Sequence, residues 1–106
     1  MKMDMYAFER VGLQFKAEGI PQLDLLSPSD PFMVLYEVNV SGEKEMINMS
    51  EVRPNTTKPD WVKIFYLDYR FEEEQKLLIE VYDQDNKDLS NLKKQKFVGQ
   101  YTFTLG

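Results

Sequence analysis

Apolar residues fall on every second position through most of this chain, and that period admits little besides antiparallel β-structure. Val11, Leu13, Phe15 and Ala17 share one face of a first expected strand, and Phe32, Val34, Tyr36, Val38 and Val40 line a second. In "WVKIFYLDYRF", Trp61, Phe65, Leu67, Tyr69 and Phe71 mostly alternate with polar residues. Leu77, Ile79 and Val81 do the same, as do Phe97, Tyr101, Phe103 and Leu105. Period two filled by β-branched and aromatic residues marks half-buried strands. Glu45 to Val52 adds a weaker strand. "FEEEQKLLIE" has helical propensity, yet reads better as a turn leading into a strand, because everything around it alternates. At 106 residues the chain holds one core rather than two. An antiparallel β-sandwich is the economical fold.

Turn residues separate the strands: Pro21 and Pro28 to Pro31, then Ser41-Gly42, then Arg53-Pro54 to Pro59. When successive strands run antiparallel, alternate connections emerge at the same end. The connections 20–31, 53–60 and 83–96 are therefore expected on one rim, with 41–44 and 71–76 on the other. The first rim collects Asp24, Asp30, Asp60, Asp83, Asp85 and Asp88.

Several chemistries are absent. With no cysteine and no histidine, the chain has no disulfide, no thiolate, and neither the commonest general base nor the commonest zinc ligand. A net charge of −5 without a basic run argues against nucleic acid as partner. No nucleophile, activated base or Gly-rich phosphate loop is recognisable, so no enzyme is expected. Met1 to Tyr6 is too polar and short for a signal peptide, and no run of roughly 18 apolar residues occurs, so the cytoplasm is the expected location. The N-x-[ST] matches at Asn39, Asn48 and Asn55 read as chance.

Carboxylates gathered at one rim repel one another and call for a compensating cation. Calcium suits them, since it takes six to eight hard oxygen ligands in flexible geometry. Asp83 and Asp85, two residues apart at a strand end, point the same way. Asp24 and Asp30 bracket a turn stiffened by Pro28 and Pro31. The competing reading is that each aspartate is a turn-former beside Pro, Ser or Asn. An EF-hand is excluded, because "DQDNKDLSNLKK" has Lys87 at the fifth position and Asp88 where the sharp-turn glycine belongs.

"LDLLSPSDPFMVLYEV", "NTTKPDW", "FEEEQKLLIEVYDQD" and "KFVGQYTFTLG", in that order over residues 11–106, resemble a C2 domain, most of all the first C2 domain of copines. The resemblance implies a Greek-key sandwich and calcium-dependent phospholipid binding by a cytosolic protein. It places Asp24 and Asp30 at the loop-one ligand positions and Asp83 and Asp85 at the first pair of loop three. The family's further loop-three aspartate has no counterpart here: Lys96 stands immediately before Phe97, Asn91 sits near the other expected place, and Asp88 is the candidate substitute. Lys96 is one candidate for a tethered cation in second-ion space. Two more strands normally follow the TLG. The chain is therefore expected either as an excised or shortened piece, or with residues 1–10 filling an edge beside a domain at 11–106. An uncovered edge would invite a second chain.

The resemblance also gives the apolar rim residues a use. Leu25 and Leu26 in loop one, with Leu89 and Leu92 in loop three, are expected to enter the bilayer. Arg53, Lys58, Lys93 and Lys94 are expected to contact anionic, phosphatidylserine-like headgroups when calcium rises. For the leucines the alternative is a fold back onto the core; for the cations, mere solubility. The rival function is a calcium-independent protein-interaction module.

Overall fold

The structure, a computed structural model, describes residues 8–23, 29–70 and 72–106. Among the described residues, six strands form two antiparallel sheets: β1 (Phe8–Leu13), β2 (Pro31–Val38), β3 (Lys44–Met49), β4 (Phe65–Arg70), β5 (Gln75–Asp83) and β6 (Lys96–Leu105). β1 pairs with β4, while the larger sheet runs β3-β2-β5-β6. The chain therefore crosses between the sheets after β1, after β3 and after β4, while β2–β3 and β5–β6 are neighbours within the larger sheet. β3 and β6 border the larger sheet.

The core between the sheets consists of Met33, Leu35, Trp61, Phe65, Leu77 and Ile79, with Leu13, Phe15, Ala17, Phe103 and Leu105 among the residues packed around it. Phe15 meets Phe65 and Phe103 edge-on, at 5.7 and 6.1 Å between centroids. In β2 the core-facing residues are Met33 and Leu35, not the alternating set that the sequence brings forward. Phe32, Val34 and Tyr36 instead build a second cluster with Leu78 and Tyr82, covered in part by Met49, Val52, Leu89 and Leu92. A central strand enclosed on both faces carries apolar residues at consecutive positions, so alternation alone cannot tell the faces apart. A bulge between the pairs Val81–Gly99 and Tyr82–Phe97 shifts the register of β6. Beyond it Phe97 turns to the second cluster, its ring 5.6 Å from that of Tyr82.

Two expected strands are shorter than their alternation suggests. β1 ends at Leu13, yet the chain stays extended beside residues 59–61, with Ala17 N–H donating to Pro59 C=O (2.9 Å) and Trp61 N–H to Phe15 C=O (3.2 Å). β4 begins only at Phe65. Ahead of it, side chains replace the ladder: Gln14 Nε2 donates to the carbonyls of Trp61 and Val62, and Glu51 accepts from Val62 and Lys63 N–H. "FEEEQKLLIE" turns at 72–73 and becomes β5 from Gln75, without a helix. Among the described residues, no helix is long and apolar enough to cross a membrane.

One buried charge is locked into the second cluster. Glu80 is 6% exposed and accepts from Lys44 Nζ (2.7 Å) and Tyr82 OH (3.0 Å). Burial alone would raise its pKa, but these donors outweigh that and hold it below the usual carboxylate range. Burial, reinforced by Glu80, pushes Tyr82 up to about 12 and raises Tyr36 further. A lowered carboxyl pKa stabilises the fold at pH values above the unfolded value, about 4.3, and is lost as pH falls through the folded one. Lys44→Met should therefore move the acid-induced loss of thermal stability to higher pH. Superimposable pH–melting profiles for the two proteins would show that the ammonium does not set the charge on Glu80.

Candidate metal site

Asp30 immediately precedes β2 and Asp83 closes β5, and these strands are neighbours with Pro31 opposite Asp83. Sheet pairing thus brings together residues 53 positions apart in sequence. Asp30 N–H donates to Asp83 Oδ1 (2.9 Å), and Gln84 N–H returns a bond to the Asp30 carbonyl (3.0 Å). Asp83 is only 6% exposed, so its carboxylate is part of the scaffold as well as of the rim.

The middle connection closes on the same point. Asn55 adopts a left-handed conformation (φ 56°), accessible to asparagine, and its N–H donates to Asp30 Oδ1 (2.8 Å). Thr56 N–H donates to Ser29 C=O (2.9 Å), and Ile20 N–H to Thr57 C=O (3.1 Å). The described parts of the connections 20–31, 53–60 and 83–96 therefore do meet at one end. At the other end Arg70 pairs with Glu37 (2.8 Å) and Glu73 (2.6 Å), and Gln75 Nε2 also reaches Glu37.

Not every rim aspartate converges there. Asp85 faces Lys96, with Nζ 3.9 Å from Oδ1. Asp88 spends Oδ1 within its own loop, accepting from the N–H and the hydroxyl of Ser90, which is turn chemistry. Asp60 is exposed and lies in an isolated bridge with Lys16. Asp24, Leu25 and Leu26 lie outside the described residues. Among the described residues no three metal-ligating side chains come together, and the joined pair is Asp30 and Asp83.

The expected lipid-facing residues also divide. Arg53, Lys58, Lys93 and Lys94 are exposed, the last two in a short 3₁₀ turn, Leu92–Lys94. Leu89 and Leu92 are half-buried and pack against the second cluster. An apolar side chain in reach of Phe32, Val34 and Tyr82 gains burial there without needing a membrane. Leu23, 46% exposed, is a loop-one apolar residue that the sequence does not single out.

The decisive residue without a sequence signal is Gln95, which is 8% exposed. Its Oε1 accepts from Asp85 N–H (2.8 Å) and Asn86 N–H (3.0 Å), and Nε2 donates to the carbonyls of Asn86 and Asp88 (both 3.0 Å). One carboxamide uses its full hydrogen-bonding capacity to shape the loop after β5.

Comparison with known proteins agrees with this architecture. The family model described as C2 domain matches residues 13–106. BONZAI 1 of Arabidopsis thaliana is 35% identical over 104 residues, covering 92% of this chain and 18% of that protein. Copine-B of Dictyostelium discoideum is 35% identical over 100 residues, covering 92% and 19%. The chain thus spans under a fifth of the length of these relatives. The solved structure BON1-C2B has a TM-score of 0.70 at 26% identity, over 91% of this chain and 64% of that one. Human GIVD cytosolic phospholipase A2, in complex with methyl gamma-linolenyl fluorophosphonate, has a TM-score of 0.68 at 18% identity, over 92% and 13%, a likeness of fold.

Proposed function

Because the chain belongs to the C2 domain family, with copines and BONZAI proteins among its relatives, we propose that it is a calcium-dependent module for docking on anionic phospholipid. The observation that carries this reading is the tie between Asp30 and Asp83, which assembles hard oxygen donors at one pole of the sandwich. The donor set fits a hard divalent cation: carboxylates, with no histidine or cysteine in the chain. Asp30 and Asp83 would hold calcium with Asp24 from loop one. When bound, calcium supplies positive charge and open coordination positions for lipid oxygens.

The remaining roles belong to the chain. Asp30 and Asp83 each commit Oδ1 to a backbone N–H, so the spacing between them is set before any ion arrives. Arg53, Lys58, Lys93 and Lys94 hold anionic headgroups around the site, each contributing about 1 kcal/mol near the membrane surface. Leu25 and Leu26 enter the headgroup boundary, and the protein moves from cytoplasm to membrane as calcium rises. No catalytic role is assigned to this chain.

Vesicle co-sedimentation tests the reading. The protein should pellet with phosphatidylserine-containing vesicles in calcium, stay in solution with phosphatidylcholine alone, and leave the pellet on chelation. Lys96 beside Asp85 favours a second reading, a protein-interaction module that works without calcium. Indifference to both calcium and chelator would support that one over the first.

A further inference from the structure

We propose that Lys96 is a built-in cation at Asp85, which limits the rim to one divalent ion. This inference rests on the docking function above and specifies its ion stoichiometry.

The placement is structural. In the antiparallel ladder Lys96 stands opposite Asp83, and directly opposed residues project from the same side of the sheet. The adjoining pair, Tyr82 and Phe97, does so visibly, with ring contact at 5.6 Å. From there the Lys96 ammonium comes within 3.9 Å of Asp85 Oδ1. The preceding residue fixes the other half of the contact. Gln95 grips the backbone of Asp85, Asn86 and Asp88, so the main chain that carries the Asp85 carboxylate is held by a buried carboxamide. Consecutive residues thus set the loop and deliver the charge.

An exposed ion pair is weak in itself, and the side chains here are 41% and 57% exposed. Its effect on an incoming ion is larger, because an ammonium beside Asp85 both neutralises that carboxylate and repels a divalent cation. Asp30 and Asp83, tied by their own hydrogen bond, keep their site, while Asp85 is denied to a second ion. Lys93 and Lys94 project from the 3₁₀ turn into solvent and have no such position.

Isothermal titration of the whole chain with calcium, compared across variants, decides the matter. Wild type should take one ion. Lys96→Met should take it at least about tenfold more tightly, Lys96→Asp should take two, and Lys96→Arg should titrate like wild type. Thermal melts establish that each variant is folded, and Lys96→Met, which adds no charge, covers the case in which Lys96→Asp does not fold. Titrations of Lys96→Met and Lys96→Asp that match wild type would overturn the inference, whether wild type binds calcium or not. A wild type that takes two ions would overturn it as well, and a wild type that takes none would remove the calcium dependence of the proposed function and this limit with it.

Discussion

Asp83→Asn should leave the domain folded and abolish its calcium-dependent sedimentation with phosphatidylserine vesicles. The two consequences separate because Asp83 does two jobs. Its Oδ1 accepts from Asp30 N–H, joining β2 to β5, and an asparagine oxygen can accept the same bond. The substitution removes a formal negative charge, and calcium affinity depends on the number of charged ligands. A weakening of at least about tenfold, or ~1.4 kcal/mol, is expected for the ion. Sedimentation in calcium reads the loss of the ion and a melting curve the preserved fold. Undiminished sedimentation would remove Asp83 from the site, whereas a collapsed melting curve would assign it to the scaffold alone.

Trp61→Ala should have the largest effect on stability. Trp61 is 1% exposed at the centre of the core, and its indole N–H donates to the Pro31 carbonyl (3.3 Å). Truncating a buried tryptophan costs about 3–5 kcal/mol through lost transfer energy and the cavity left behind. Domains of this size have about 5–15 kcal/mol in total. Each kcal/mol shifts the melting point by about 4–8 °C, so a fall of at least about 12 °C is expected by circular dichroism. Trp61→Phe, which keeps most of the ring volume, should fall by less. Trp61 also bonds the residue between Asp30 and Phe32, so losing it loosens the start of β2 where the rim begins. A melting point within a few degrees of wild type would show that the core closes over the gap.

Much of this was legible in the residues. Alternation located the strands, and prolines and glycines located the turns between them. Connectivity then placed 20–31, 53–60 and 83–96 at one end, where Asp30, Asn55 and Asp83 are indeed linked. The faces of β2 were not legible. Phe32, Val34 and Tyr36 stood out by size and period, but a strand covered on both sides buries its neighbours Met33 and Leu35 as well. β4 is shorter than the alternation over 61–71 suggests because Gln14 and Glu51 satisfy the backbone ahead of it, and side-chain caps from distant positions leave no local pattern. Gln95 was invisible for the same reason, as one polar residue in a lysine-rich loop whose burial only the fold reveals. The aspartates showed the converse limit. Their residue type suited either turn or ligand, and Asp88 bonded to Ser90 is in turn geometry while Asp30 beside Asp83 is not.

The loop that follows β5 is anchored from two directions, by Gln95 beneath its backbone and by Leu89 and Leu92 against the outer face of the larger sheet. Settling flat on a bilayer would mean peeling those leucines from aromatic neighbours, a trade of one oily environment for another with little to gain. Loop one bears no such tether at Leu23, whose side chain already stands half in water. Under the proposed docking function, the domain should accordingly approach a lipid surface aslant, leaning on one shoulder of its rim while the opposite shoulder rides higher among the headgroups.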